Sequence, residues 1–134
     1  MDTTTISIST GRQRQAVDIT AHAARFVDGK GDGLLSVFVP HATAGLAIME
    51  TGAGSDADLL EVLDQVLPRD NRWRHRHGSP GHGADHVMPA LVGPSTTIPV
   101  EGGRLLLGTW QSIVLIDPNT DNTKRQVRFS WVPG

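Results

Sequence analysis

The chain has no cysteine, and aromatic residues make up only 4% of its 134 residues. Without cysteine, neither a disulfide framework nor a thiolate metal site can form, which is typical of a protein from a reducing compartment. No stretch approaches the roughly 20 apolar residues of a membrane span, and the segment from Met1 to Thr5 lacks the basic and apolar regions of a signal peptide. We therefore expect a cytoplasmic protein without a membrane partner.

The chain also lacks a strong excess of charge of either sign. Twelve basic and 14 acidic residues leave a net charge of -2, so no large positive field attracts nucleic acid. The densest basic stretch runs from Arg69 to Arg76 and has four arginines around Trp73. We interpret it as a solvated loop or a local anion site, and we expect no nucleic-acid partner.

Three common catalytic motifs are missing. There is no Gly-x-x-x-x-Gly-Lys-[Ser/Thr] phosphate-binding loop, no Gly-x-Ser-x-Gly elbow and no Gly-x-Gly-x-x-Gly fingerprint. Nucleotide hydrolysis, serine hydrolase chemistry and dinucleotide chemistry therefore have no support in the sequence.

The length and the hydrophobic fraction of 38% suit one folded domain covering residues 1–134. Ile6 and Ile8 alternate with polar residues, and so do Val17 and Ile19. This alternation predicts two early strands joined as a hairpin. Helical spacing predicts a helix from Thr20 to Val27, and a second helix follows an apparent capping box at Ser55 and stops at Pro68.

Further strands are predicted from Leu34 to Val39 and from Leu46 to Met49, where short apolar runs are bounded by turn residues. The polar segment 69–83 is long for a connection, which favours a functional or disordered loop. Beyond it, residues 95–100, 104–108, 111–116 and 127–132 are predicted as strands of an antiparallel meander.

Six histidines, five of them between His41 and His86, suggest a metal site. A catalytic zinc ion takes three protein ligands and keeps one open position. His75 and His77 could project from one side of an extended segment, and His82 and His86 have the spacing of a helix face. However, Gly81 and Gly83 weaken a helix through His82, so surface histidines bonded to the backbone are the alternative.

Two acidic residues accompany the histidines. Glu50 comes at the end of a predicted strand, where it could bind metal, orient a histidine or act as a general base. Asp85 precedes His86 and could orient that ring or cap a helix. In both cases an ordinary surface carboxylate is the alternative.

Three ordered segments resemble the YjbQ family. The most specific is the block from Ser95 to Ile113, which contains Gly108-Thr109-Trp110-Gln111. The others are the stretch from His41 to Leu46, with Glu50 beyond it, and Trp73-Arg74-His75 followed by Asp85-His86. The resemblance runs in one register from about Leu34 to Val132.

This resemblance implies an α+β fold, a single compact domain with a mostly antiparallel β-sheet or sandwich and two or three helices. It also implies a homotrimer, a pocket near a subunit interface, and an activity linked to the family, thiamine-phosphate synthesis. By resemblance, His41, His75 and His86 would bind a divalent metal, zinc or, with a diphosphate substrate, magnesium. His77 and His82 lie outside the pattern, and His82 stands where many relatives have asparagine.

The catalytic residues implied are Glu50, His41 and His86. A small phosphorylated metabolite would be bound by residues of the signature block and its flank: Ser95, Arg104, Thr109, Trp110 and Gln111. Trp110 could instead pack at a trimer interface. Two other functions fit the same residues: a metal-dependent hydrolase of a small metabolite, and a non-catalytic trimeric metabolite-binding protein.

Overall fold

The computed structural model describes residues 1–134 and contains eight strands and three helices. In chain order these are β1 (Asp2–Ser9), β2 (Gln15–Asp18), α1 (Thr20–Val27), β3 (Gly33–Phe38), β4 (Gly45–Met49), α2 (Ser55–Val66), α3 (His82–Val92), β5 (Ser95–Glu101), β6 (Arg104–Leu105), β7 (Ser112–Asp117) and β8 (Lys124–Pro133). The predicted α+β class with an antiparallel sheet and three helices is confirmed. None of the helices has the length and apolar content that a membrane span requires.

The strands form two antiparallel sheets, with orders β1-β8-β3-β5-β6 and β2-β7-β4. The predicted early hairpin is wrong, because Ile6 pairs with Val127 of β8 whereas Val17 pairs with Leu115 of β7. The predicted meander is also wrong: only β5 and β6 pair as neighbours, through Val100 and Leu105, while β7 lies in the other sheet. Long-range pairing places the early strands against the C-terminal ones, which local patterns cannot reveal.

Strand β7 explains the layering of the molecule. Its apolar residues are buried on both faces, whereas an antiparallel strand commonly has one face exposed to solvent. Ile113 and Leu115 pack into the core between the two sheets, and Val114 and Ile116 pack against α2 and α3. The order is therefore the five-stranded sheet, then the three-stranded sheet, then the helix pair.

A buried ion pair joins the two sheets. Asp117 on β7 and Arg125 on β8 are 0% and 1% exposed, and the carboxylate accepts two hydrogen bonds of 2.9 Å from Nε and Nη2 of the guanidinium. Nη2 also donates to Oγ1 of Thr43 at 2.9 Å. Because both charges are paired and bonded, their burial is tolerated.

Helix α1 has the predicted bounds, and α2 begins at Ser55 as expected. The predicted capping box is wrong, however, because Gly54 caps α2 with φ of 107° and no side chain bonds to the exposed amides. Helix α3 was not predicted at all. It begins inside the polar segment, directly after Gly81, whose φ of 86° belongs to the left-handed region that glycine tolerates.

Candidate metal centre

Helix α3 and the segment before it bring four histidines together. His82 opens α3, and His86 follows one turn later on the same face. His75 and His77 come from residues 67–81, which fold back over the start of the helix. A Cβ on Gly83 would lie 2.4 Å from the carbonyl oxygen of His75 and 2.5 Å from Cβ of Trp73. Glycine at this position thus permits the close approach that sets His75 beside α3.

Three of these imidazoles form a compact donor group. One ligand nitrogen each from His75, His82 and His86 lies within 4.8 Å of the others, and the two Nε2 atoms of His82 and His86 are 3.0 Å apart. The ring centroid of His75 lies 4.0 Å from that of His86 and 5.0 Å from that of His82. The exposed ring of His77 stands alongside, 4.1 Å from His75.

The carboxylate of Asp121 orients the ring of His82. Its Oδ2 lies 2.8 Å from Nδ1 of His82, and a carboxylate accepts hydrogen bonds, so Nδ1 carries the proton. With Nδ1 bonded to Asp121, the Nε2 atom of His82 is the one that faces His86, at 3.0 Å. Oδ2 also accepts bonds from the Ser79 hydroxyl at 3.0 Å and the Ser79 amide at 3.3 Å. Burial raises the pKa of Asp121, but these bonds outweigh it and the net pKa is lowered.

A buried polar network supports this arrangement from below. Asp85 is 1% exposed and binds Arg69 through both carboxylate oxygens. Asn119, which is fully buried, donates to Asp85 Oδ2 at 2.9 Å and accepts from the amide of Asp121 at 2.9 Å. The network holds the helix start and the β7–β8 connection in one fixed relation, so His82 and Asp121 cannot drift apart.

The surroundings of His75 and His86 favour the neutral forms of these two imidazoles. Loss of hydration and the rings of His77 and His82 lower the pKa of His75. Burial, followed by the other three histidines, lowers the pKa of His86, against a smaller opposing effect of Asp85. Neutral imidazole is the form that binds a metal.

The donor set suits zinc more than magnesium. Imidazole nitrogens bind zinc at about 2.0–2.1 Å, which sets the nitrogens of a tetrahedral site about 3.3 Å apart. The 3.0 Å between the Nε2 atoms of His82 and His86 is close to that value. Magnesium prefers oxygen ligands, and no carboxylate belongs to the group. An Asp–His pair behind a donor is also the usual support of a zinc ligand.

The structure places His41 apart from this group. Its Nε2 accepts a 2.9 Å hydrogen bond from the amide of Gln126, which occupies the lone pair that would bind a metal. His82 takes the place in the cluster that the sequence prediction gave to His41, whereas His75 and His86 lie where that prediction needs them. The i,i+4 spacing of His82 and His86 was the signal for this. Gly81 and Gly83 argue against a helix at this position. In the structure, however, the missing side chain of Gly83 makes room for the segment that carries His75.

Glu50 lies at the other end of the three-stranded sheet. Met49 pairs with Ser112 and Gly45 pairs with Ile116, so Glu50 follows the edge that is farthest from Asp117. Its carboxylate is exposed. Within one chain, Glu50 is therefore not beside the histidine cluster, and its catalytic role stays a prediction.

The predicted substrate residues are dispersed. Ser95 and Arg104 sit at opposite ends of the β5–β6 hairpin, because Ser95 pairs with Phe38 while Arg104 pairs with Glu101. Thr109 and Trp110 lie in the exposed loop between β6 and β7, where Gln111 Oε1 accepts the amide of Gly108 at 2.8 Å. One chain does not gather these residues around a single ligand.

Two clefts flank the cluster, and His75 and Gly83 line both. The smaller, of about 130 Å³, is lined mainly by polar residues and glycines and runs along residues 75–83. The larger, of about 400 Å³, is bordered by Trp73, His86 and Val87. The histidine donors are thus reachable from solvent.

The fold and the site define a small α+β protein with two sheets. Its accessible histidine cluster is formed by α3 and the segment before it. The family model described as UPF0047 protein YjbQ-like matches residues 4–134, so the chain belongs to the YjbQ family. A UPF0047 protein of Mycobacterium tuberculosis is 60% identical over 134 residues, covering 100% of both chains. A crystal structure of a hypothetical protein from Aeropyrum pernix has 30% identity, a TM-score of 0.90 and 100% coverage of both chains. A YjbQ-like protein of unknown function from Sulfolobus solfataricus has 26% identity and a TM-score of 0.91, with 99% and 97% coverage.

Proposed function

We propose that this YjbQ protein is a zinc-dependent enzyme acting on a small phosphorylated metabolite. The observation that carries the proposal is the group formed by His75, His82 and His86, with Asp121 behind His82. Three imidazole donors with an accessible fourth side are the arrangement of a catalytic zinc site and not of a closed structural one.

The reaction we assign is the one that the family resemblance implies, thiamine-phosphate synthesis. A thiazole phosphate attacks through its ring nitrogen the methylene carbon of a pyrimidine methyl diphosphate. A carbon–nitrogen bond forms, the carbon–oxygen bond breaks, and pyrophosphate leaves with the bonding electron pair. A bound zinc ion would supply positive charge for the diphosphate oxygens.

The protein's own residues would position the reactants. His75, His82 and His86 would hold the ion at the junction of the two clefts, and Asp121 would keep His82 in the tautomer with a free Nε2. Because no protein base is required by this bond exchange, an exposed Glu50 away from the cluster is compatible with it. The rate enhancement would come from neutralising the charge of the diphosphate and from positioning the two reactants.

The decisive experiment measures metal and turnover on the same samples. Purified protein is assayed for zinc content and for thiamine phosphate formed from the two substrates, with and without chelator. His82→Ala and His86→Ala are expected to lose both zinc and turnover, whereas His41→Ala and the matched control His22→Ala keep zinc. Loss of zinc from the His41 variant but not from the His82 variant would refute the assigned ligand set.

A zinc-loaded protein without synthase turnover would refute the assigned reaction while leaving the metal site intact. In that case hydrolysis of phosphate esters is the next assay, because an open zinc position also activates water. Zinc-dependent ligand binding without turnover of either kind would identify a metabolite-binding protein.

We further propose that the chain works as a homotrimer. The loop between β6 and β7 leaves Trp110 73% exposed and Leu106 50% exposed, and such apolar side chains are typical of a contact between copies. Sedimentation equilibrium should give a trimer mass for the wild type and a lower mass for Trp110→Ala. A monomeric wild type would refute this assembly.

A further inference from the structure

The larger cleft beside the histidines has the size of a small-molecule site. Its volume of about 400 Å³ is within the range of ligand pockets. One end is formed by His75 and His86, which are two of the assigned zinc ligands. A molecule in this cleft would therefore touch the metal position at one end.

Two arginines line the cleft, and their surroundings differ. The guanidinium of Arg72 is engaged by its neighbour Asp70, through Nε to Oδ1 at 2.9 Å and Nη2 to Oδ2 at 2.8 Å. That pairing neutralises its charge, and it raises the pKa of Arg72. Arg74 forms no ion pair with an acidic side chain. Arg74 is thus the guanidinium in the cleft whose charge is available to a ligand.

The apolar part of the cleft lining is formed by Trp73 and Val87, and Trp73 is held in place. Trp73 donates its indole Nε1–H to the carbonyl oxygen of Pro68 at 2.8 Å, and its Cβ is packed over Gly83. Val87, one residue beyond His86, is 37% exposed toward the same cleft. A fixed indole and a valine suit a flat apolar group, because such a group can bury its apolar surface against them.

We propose that this cleft binds the substrate as a phosphorylated aromatic ring, with Arg74 pairing with the phosphate and Trp73 and Val87 covering the ring. The proposal rests on the proposed function for the metal end of the cleft. It moves substrate binding away from Arg104 and Trp110 to residues that border the histidines. A guanidinium matches phosphate oxygens through two parallel N–H donors, which explains the choice of arginine.

The test uses calorimetric titration with phenyl phosphate and with inorganic phosphate, on zinc-loaded and on metal-free protein. The wild type should bind phenyl phosphate more tightly than inorganic phosphate. Arg74→Gln should weaken both ligands about tenfold or more, the size expected for a charge-assisted hydrogen bond. The matched control Arg72→Gln should change either Kd by less than about threefold, because its charge is already paired.

A second variant tests the apolar wall separately. Val87→Thr keeps the branched shape but replaces one methyl group with a hydroxyl, so it should weaken phenyl phosphate but not inorganic phosphate. Zinc affinity is measured for every variant and should be unchanged.

Unchanged phosphate binding in Arg74→Gln, or an equal loss in Arg72→Gln, would overturn the proposal. Binding by metal-free protein that depends on Arg74 would support the cleft even if zinc does not bind, which separates this proposal from the proposed function.

Discussion

Asp117 and Asp121 are four residues apart, yet the two carboxylates do different things. Asp117 is fully buried and faces the guanidinium of Arg125, and this pair joins the two sheets. Asp121 has a side chain that is 30% exposed and faces the imidazole of His82, whose other nitrogen lies 3.0 Å from Nε2 of His86. The same residue type therefore joins two sheets where its partner is Arg125 and supports a candidate metal ligand where its partner is His82.

The largest expected effect comes from breaking the buried pair. Asp117→Asn leaves Arg125 charged and uncompensated in the interior, which should lower the free energy of unfolding by about 3–5 kcal/mol. Chemical denaturation followed by circular dichroism measures the change. The double variant Asp117→Leu with Arg125→Met should be more stable than the single one, because it leaves no unpaired charge. A single variant within about 1 kcal/mol of wild type would contradict the structural role.

The next effect concerns the contact that places His75. Gly83→Ala puts a methyl group into the carbonyl of His75 and the side chain of Trp73, so the segment must move away from α3. We expect zinc affinity to fall at least as far as in His75→Ala, measured by competition with a chromogenic chelator. Gly108→Ala is the control, since its added Cβ would meet only the flexible side chain of Gln111. Wild-type affinity in Gly83→Ala would show that His75 is not a ligand.

Replacing Asp121 by asparagine should reduce stability much less than the same replacement of Asp117. Asp121→Asn retains an oxygen that can accept from His82 but loses the charge. Zinc affinity should therefore fall about 10- to 100-fold, as for other partners of ligating histidines. The free energy of unfolding should change by less than about 1 kcal/mol, because the site is near the surface. A stability loss equal to that of Asp117→Asn would remove the contrast between the two residues.

The smallest expected effect is a pH dependence of stability that comes from His41, which lies near Arg125 and Asp117. Burial and the charge of Arg125 lower the pKa of His41, and Asp117 offsets this only in part. The pKa of His41 is about 6.5 in an unfolded chain and lower in the folded chain, so stability is lost as the pH falls below about 6.5.

His41→Gln removes this titration and keeps an acceptor for the amide of Gln126. The drop in Tm between about pH 7.5 and about pH 5.5 should accordingly be smaller in the variant than in wild type. An equal drop in both proteins would mean that His41 is protonated alike in the folded and unfolded chains.

Local patterns predicted individual elements well. The α1 helix from Thr20 to Val27 and the strands β3 and β4 follow from the spacing of apolar residues and from bounding turn residues, which act over a few positions. Strand partners were missed because pairing joins distant segments. Neither β1 nor β2 carries a mark that assigns it to β8 or to β7.

The candidate site divides in the same way. The histidine-rich composition and the positions of His75 and His86 could be identified from the sequence. His82 lies outside the family pattern, and the glycines beside it disfavour a helix when the helix is considered alone. In the folded chain the missing side chain of Gly83 makes room for the segment that carries His75.

The sequence by itself thus determined the family, the α+β class, most element positions and the presence of a histidine-rich segment, since these depend on residue type and short-range order. Only the tertiary structure decided which histidines meet, that Asp121 rather than Glu50 stands behind them, and that Arg74 rather than Arg72 is free in the adjoining cleft. These depend on distances between residues far apart in the chain, and such distances are set when the sheets and helices pack.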